Sequence, residues 1–358
     1  MKTLFFQHNT PTEYFKYFAE SDLIDFMIGH FNPMFSRKRV RASILKITKE
    51  TEDTKTLVLN VNRNWKKFQA GQHIPVTVEI EGRRVTRFYS ISSSEMEAYP
   101  SITVKKQAGG VVSNFIHDHL KKRDMIEIGE ASGNFCLKTF DENLLFIVGG
   151  SGITPVYSIL KTHLSKLKDK KITLIYFSRT KEEIIFFEQL NSLEDKFSNL
   201  KIHHVLTHEE KAGFRTSFLS KDLLETLVPD YQDRLTFLCG PETLQNVTKE
   251  LIHSNRLISE NFQPHIKPKQ KKSNQAYEVK LLNSHKSILV KGEKSLLQEL
   301  EDNGVYPPSG CRMGICHTCI CTKTKGSTED MRDGDSSTNP KSIQICVSRA
   351  ESNLELEL

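Results

Sequence analysis

The sequence predicts a multidomain α+β and α/β protein: an antiparallel β-barrel, then a parallel α/β domain, then a small domain built around a cysteine loop. Three observations carry that expectation. Residues 42–107 hold short alternating segments separated by turn signals, the pattern of an antiparallel barrel. Residues 144–240 alternate apolar strands with helical stretches, the pattern of a parallel sheet. The stretch PPSGCRMGICHTCIC, Pro307 to Cys321, packs four of the chain's seven cysteines into eleven residues.

The 358 residues suffice for two or three domains at roughly 100–200 residues each. At the N-terminus, Thr10-Pro11-Thr12-Glu13 reads as a helix start, with a Thr cap, Pro in the first turn and Glu three residues after the cap. The segment through Ile28 is rich in aromatic and aliphatic residues and is expected to pack on the body of the protein. A membrane-surface helix is the alternative, but its polar positions carry Glu and Asp rather than Lys and Arg.

Next come ASILKITKE, TKTLVLNV, HIPVTVEIEG, RRVTRFYSISS and SITVKKQ as barrel strands. LLFIVGG, ITLIYFS, KIHHVLT and LTFLCG follow as strands of the α/β domain. The Pro- and Lys-rich run FQPHIKPKQKKSNQ reads as a linker. The expected division is an N-terminal extension (1–37), a barrel (38–141), an α/β domain (142–262), a linker (263–275) and a C-terminal domain (276–358).

Charge is uneven. Gln275–Leu358 contains 10 basic and 12 acidic residues, so the net +6 of the chain is concentrated on the rest. An acidic module on a basic body suits electrostatic docking between redox partners. Scattered Lys and Arg with no recognition motif argue against nucleic acid. No apolar run reaches the roughly 20 residues of a membrane span, and no secretory leader is evident. A reducing cytoplasm is the expected compartment, with the inner face of a membrane reached through a partner.

In that compartment clustered cysteines bind metal or do redox chemistry more often than they form disulfides. The spacing Cys311-x4-Cys316-x2-Cys319, with Cys346 further on, is that of a plant-type [2Fe–2S] site. Zinc would want a second CxxC or spaced histidines, and the distal half offers only Cys346. Gly310 and Gly314 allow backbone N–H groups close to the cluster sulfurs, and Arg312 adds positive charge there. Cys321 is expected as a buried free thiol, and His317 as a residue beside the cluster rather than a ligand.

Two further signals concern organic cofactors. RFYS (Arg87 to Ser90) ends a strand, and GGVVSN (Gly109 to Asn114) opens a helix about twenty residues later. An Arg pairs with a pyrophosphate, a Tyr stacks on a flavin ring, and a small-residue helix start offers N–H groups to phosphates. VGGSGITP (Val148 to Pro155) follows a buried strand and opens a helix, a phosphate-cradling arrangement that departs from GxGxxG. Ser178-Arg179 ends the next strand, where an acidic residue would hold a ribose hydroxyl and an Arg accommodates a 2′-phosphate. NADPH is therefore expected over NADH, although Glu182 and Glu183 stand close by.

Taken together, RFYS, GGVVSN, GGSGITP, CGPE and CRMGICHTC resemble the ferredoxin–NADP reductase superfamily fused to a C-terminal plant-type ferredoxin, over about residues 38–358. The resemblance implies a FAD-binding barrel, an NAD(P)-binding domain and a β-grasp ferredoxin domain. It implies that Arg87, Tyr89 and Ser90 bind FAD, with Thr103, Val104 and Lys105 on its adenine side and Gly110, Val112 and Ser113 at its pyrophosphate. It places Gly152, Thr154 and Pro155 at the nicotinamide nucleotide, Ser178 and Arg179 at its adenosine end, and Cys239, Gly240, Pro241 and Glu242 beside the nicotinamide. Tyr89, Ser90, Thr154 and Cys239 would surround hydride transfer. Where the family often has Cys before the helix Ser, this chain has Val112. No terminal aromatic shield over the flavin can be assigned.

The implied activity is an electron path NADPH → FAD → [2Fe–2S] → external acceptor. The stretch from Asn62 to Ser94, with the N-terminal extension, is similar to bacterial reductases of membrane fatty-acid (acyl) desaturases. Alternatives are an NADH-dependent reductase of a soluble ring-hydroxylating dioxygenase or monooxygenase, and a non-catalytic iron–sulfur sensor.

Overall fold

The computed structural model describes residues 28, 31–262, 276–314 and 316–358. The expected N-terminal helix lies outside these apart from Ile28, and so does the 263–275 linker. Among the described residues, no helix is long and apolar enough to cross a membrane.

The first sheet is antiparallel, in the order β4-β3-β6-β1-β2-β5. Its strands are β1 (Val40–Thr51), β2 (Thr54–Val61), β3 (His73–Ile80), β4 (Arg83–Ser90), β5 (Ser101–Lys105) and β6 (Met125–Ile128). Alternating side chains of β1 (Val40, Ala42 and Ile44) and β3 (Ile74, Val76 and Val78) turn into one apolar core. Glu81 and Gly82 join β3 to β4 with φ of 51° and 74°, the two-residue turn whose twist matches the strands. Helix α1 (Val111–Asp118) closes one end of the sheet, burying Val112 and Ile116 in the same core.

The second sheet has the order β10-β9-β8-β7-β11-β12 and is parallel throughout. It comprises β7 (Leu144–Gly149), β8 (Ile172–Ser178), β9 (Leu200–Leu206), β10 (Arg215–Thr216), β11 (Leu235–Cys239) and β12 (Leu257–Glu260). Helices α2 (Ile153–His163), α3 (Phe187–Lys196), α4 (Lys221–Leu227) and α5 (Glu242–Leu251) supply the crossovers. Strands β7 and β8 are buried along their whole length, which is why they read as unbroken apolar runs. The chain passes from β7 to β8 on one side and later returns to β11 on the other. The crevice at the carboxyl ends of β7 and β11 is thus a topological switch point, where open α/β sheets bind ligands.

A seam of hydroxyls joins the two sheets. Ser158 donates to the Ser93 carbonyl at 2.6 Å, Thr162 donates to the Ser94 hydroxyl at 3.1 Å, and the Glu95 N–H donates to Thr162 at 3.2 Å. Lys105 bridges to Glu183 at 3.0 Å at the other end of the contact.

The C-terminal domain is a mixed sheet of order β14-β13-β20-β15-β18, crossed by helix α6 (Leu296–Asp302), beside a three-stranded sheet of order β17-β16-β19. Its strands are β13 (Tyr277–Leu281), β14 (Lys286–Val290), β15 (Ile320–Lys325), β16 (Thr328–Asp330), β17 (Ser336–Ser337), β18 (Lys341–Gln344), β19 (Ser348–Ala350) and β20 (Leu354–Glu357). Leu296, Leu297 and Leu300 of α6 pack into a core that also takes in Cys319, Cys321 and Cys346. The domain rests against β4 of the barrel. There the Arg83 guanidinium lies 3.7 Å from the centre of the Tyr306 ring.

Candidate redox site

The cysteine loop is wound so that its N–H groups point at its own sulfurs. Arg312, Gly314 and His317 take φ of 60°, 72° and 57°, a left-handed conformation rare for side chains other than glycine. As a result the Cys311 N–H donates to Cys316 Sγ at 3.2 Å, and the Met313 and Cys316 N–H groups donate to Cys311 Sγ at 3.3 Å each. The Thr318 hydroxyl donates to Cys316 Sγ at 3.2 Å. A Cβ at Gly310 would stand 2.7 Å from Cys316 Sγ, so glycine is required at that approach.

The four sulfurs fall into two pairs, Cys311 with Cys316 and Cys319 with Cys346. Two pairs suit a dinuclear cluster, in which each iron takes two protein ligands. The Cys319 and Cys346 thiols share one hydrogen bond, which lowers the Cys319 thiol and raises the Cys346 thiol, with the charge of Arg312 also lowering Cys319. Arg312 is anchored by Glu301 and by Gln298 of α6. Cys321 is buried in the core of the domain and its thiol is pushed up to about 12 by that burial. It is an inert core thiol. His317 is exposed to solvent and pairs with Gln344 at 3.3 Å.

At the barrel, Arg87, Tyr89 and Ser90 sit together at the end of β4. Burial first, and then repulsion from Arg312, lowers the Arg87 guanidinium to about 10, and its described hydrogen bond goes to the Thr86 carbonyl at 2.7 Å. A half-buried cation whose described side-chain hydrogen bond goes to a carbonyl suits an anion. The Ser90 hydroxyl is buried and unpartnered, and burial pushes the Tyr89 phenol above its ordinary range. Helix α1 begins at Gly110 with no side-chain cap and no acidic residue in its first turn, which leaves its first N–H groups to a ligand. These residues fit a flavin dinucleotide, with cation and helix end for its pyrophosphate and phenol and hydroxyl for its ring.

The remaining expected contacts lie deeper. The Thr103 hydroxyl is committed to Thr56 and Ser92, each at 2.8 Å, and Val104 and Val112 are barrel core. These three can meet a cofactor only through their backbone. Ser113 is turned inward to Gly110 and Gln107, and Lys105 is engaged by Asp53 and Glu183.

At the switch point, two glycine turns interlock. A Cβ on Gly152 would meet the Cys239 carbonyl oxygen at 2.2 Å, and one on Gly149 would meet Pro241 at 2.6 Å. Thr154 is buried in the first turn of α2 and donates to the Ser151 carbonyl at 2.9 Å, with Pro155 buried behind it. Cys239 is fully buried and its thiol lies well above the usual range through burial and nearby Glu260, so it acts by shape rather than as a nucleophile. Gly240, Pro241 and Glu242 lead into α5 on the rim of the same crevice. The Ser178 hydroxyl at the end of β8 is buried and unpartnered, and Arg179 beside it is exposed. The arrangement suits a nucleotide phosphate. Gly152→Ala is expected to cost about 1–3 kcal/mol in local overpacking and to abolish reduction by NAD(P)H while FAD stays bound, as read by flavin absorbance.

Sequence reasoning missed one pair. His73 Nδ1 lies 2.9 Å from Glu260 Oε1, joining β3, at the register position facing Ser90, to β12, at the position facing Cys239. The second oxygen of Glu260 is buried and unpartnered. The pair therefore stands at the junction of the flavin and nucleotide sites.

Models of three protein domains match the chain in order. They are an oxidoreductase FAD-binding domain at 41–136, an oxidoreductase NAD-binding domain at 146–250 and a 2Fe-2S iron-sulfur cluster binding domain at 279–351. With the geometry above, these define a flavin- and iron–sulfur-containing NAD(P)H oxidoreductase whose cofactors are FAD and a [2Fe–2S] cluster. The chain is 26% identical to phthalate dioxygenase reductase, whose solved structure it matches with a TM-score of 0.64 over 89% of this chain and 97% of that one. Its relatives include an NADPH oxidoreductase of Mycobacterium tuberculosis, 29% identical over 91% of this chain and 86% of that protein. A glycine betaine monooxygenase reductase subunit of Pseudomonas aeruginosa is 29% identical over 81% of this chain and 86% of its own length.

Proposed function

We propose that this protein is the reductase component of an oxygenase, taking electrons from NADPH and passing them singly through its cluster. The observation that carries the reading is the position of the β3–β4 edge. At one end Arg87 feels the charge of Arg312 in the cluster loop, and His73, opposite Ser90, touches Glu260 of the nucleotide domain. Both contacts support a serial path in which the residues assigned to the flavin lie between the other two sites. The flavin supplies the conversion of a two-electron hydride into single electrons. Around it, Arg87 and the α1 N-terminus hold the phosphates, Tyr89 and Ser90 orient the ring, and the interlocked glycine turns bring the nicotinamide to it.

For the acceptor, the relatives' names point to an oxygenase of the monooxygenase or dioxygenase kind. A membrane acyl desaturase is the narrower reading, resting on the Asn62–Ser94 resemblance, and none of the relatives named above is a desaturase reductase. For the nucleotide, the unpartnered Ser178 hydroxyl and exposed Arg179 favour a 2′-phosphate, as does the name of the mycobacterial relative.

The test is anaerobic titration of the purified protein with NADPH and then NADH, following flavin and cluster absorbance together. Flavin bleaching followed by cluster bleaching, with NADPH effective at lower concentration, is the expected result. An FAD-loaded sample that neither nucleotide bleaches would sink the reductase reading and leave the sensor. Internal transfer also depends on the docking of the cluster domain. Arg83→Ala removes a cation–π contact worth about 0.5–1 kcal/mol, so cluster reduction is expected to slow two- to fivefold in stopped flow while flavin reduction is unchanged.

A further inference from the structure

We propose that Tyr176 is a positioning residue for the pyridine nucleotide, tying the glycine turn after β7 to the loop that carries Arg179. The residue lies on β8, and its ring is fully buried in the core of the α/β domain. A buried phenol needs hydrogen-bond partners, and this one finds them outside its own strand. Its hydroxyl donates to the Gly150 carbonyl at 3.0 Å and accepts the Ile185 N–H at 3.2 Å. One oxygen thus joins the two loops that leave the carboxyl ends of the paired strands β7 and β8.

Each loop is shaped around that oxygen. Gly150 takes φ of 53°, and its carbonyl also accepts the Ile153 N–H at the start of α2. Across a planar trans peptide the carbonyl and the following N–H point opposite ways. A Gly150 carbonyl held inward on Tyr176 therefore turns the Ser151 N–H outward, to the crevice, where a nucleotide phosphate can accept it. On the other side, Phe186 follows Ile185 with φ of 62° and stacks on Tyr157 of α2, ring centres 4.2 Å apart. Ser178 lies two residues beyond Tyr176, on the same face of β8, with its hydroxyl beside the phenol. The loop from Ser178 to Ile185 is therefore held at both ends, and Arg179 lies within it. A Phe in place of Tyr176 would fill the same volume and hold neither loop. This inference rests on the nucleotide reading of the crevice and names the residue that keeps its two halves in register.

The test is Tyr176→Phe in the full-length, FAD-loaded protein. Binding of NADP+ and of NAD+ is measured by calorimetry, and dye reduction is measured with NADPH and with NADH. The dissociation constant of each nucleotide is expected to rise about tenfold. KM is expected to follow, with kcat within about twofold of its original value, the signature of lost binding shared by ground and transition states. Both nucleotides lose alike because the turn meets the part they share, which separates Tyr176 from Arg179. Unchanged dissociation constants in a variant of lower Tm would show a packing role alone and overturn the inference. So would a loss confined to NADP+, which would make the phenol part of 2′-phosphate recognition. If the unaltered protein binds neither nucleotide, the crevice reading falls, and the inference with it. If the variant does not fold, amide hydrogen exchange of the unaltered protein decides. NADP+ is expected to slow exchange at 149–153 and at 179–185 together, and protection of one segment alone overturns the tie.

Discussion

Cys316→Ser is expected to abolish reduction of one-electron acceptors while leaving NADPH-to-dye reduction through the flavin close to its original rate. The Cys316 sulfur receives the Cys311 N–H and the Thr318 hydroxyl and shares one of the two thiol pairs, so its loss leaves one iron with a single cysteine. The substitution lies in the cluster loop, whereas the flavin residues belong to β4 and the nucleotide turns to β7 and β11. The barrel and the α/β domain fold around cores that hold no residue of the cluster domain, so the change does not touch them. Electron paramagnetic resonance of the dithionite-reduced protein reports the cluster, and steady-state dye reduction reports the flavin. Loss of dye reduction in a folded, FAD-loaded variant would show that the path is not serial.

Arg179→Ala is expected to raise the KM for NADPH roughly 10- to 100-fold and to change that for NADH less than twofold. A charge-assisted hydrogen bond to a phosphate contributes about 1.5–3 kcal/mol, and NADH has no 2′-phosphate to lose it from. Arg179 is exposed at the end of β8, directly after the buried, unpartnered Ser178 hydroxyl, and its carbonyl accepts the His208 N–H at 3.0 Å, so the backbone that places it stays fixed when the side chain is removed. Equal losses for the two nucleotides would remove the 2′-phosphate role.

What could be read without coordinates follows from how locally each feature is encoded. Three of the four cluster sulfurs lie within nine residues, so spacing alone announced them. Strands such as β3 and β7 declare themselves by alternation or by an unbroken apolar run. The four-residue strands β6 and β12 are too short to show a period, yet β6 sits between β3 and β1 and β12 carries Glu260. His73 and Glu260 are 187 positions apart, so nothing local couples them. The family resemblance places Thr103 and Val104 beside the adenine but carries no information on burial, and β5 is buried on both faces through Val104.

The hydroxyl seam between Ser93–Glu95 and α2 bears on how such proteins can be recombined. Ser158 and Thr162 are buried with Ser93 and Ser94, and cutting between barrel and α/β domain would lose the two hydrogen bonds that join them, at about 0.5–1.5 kcal/mol apiece. Those two layers are therefore one inheritable unit. The cluster domain meets that unit at exposed side chains such as Arg83 and Tyr306. A chain shortened to end at Phe262 keeps the seam whole. The natural joint for grafting a different one-electron carrier onto this reductase is thus after Phe262, not between flavin and nucleotide.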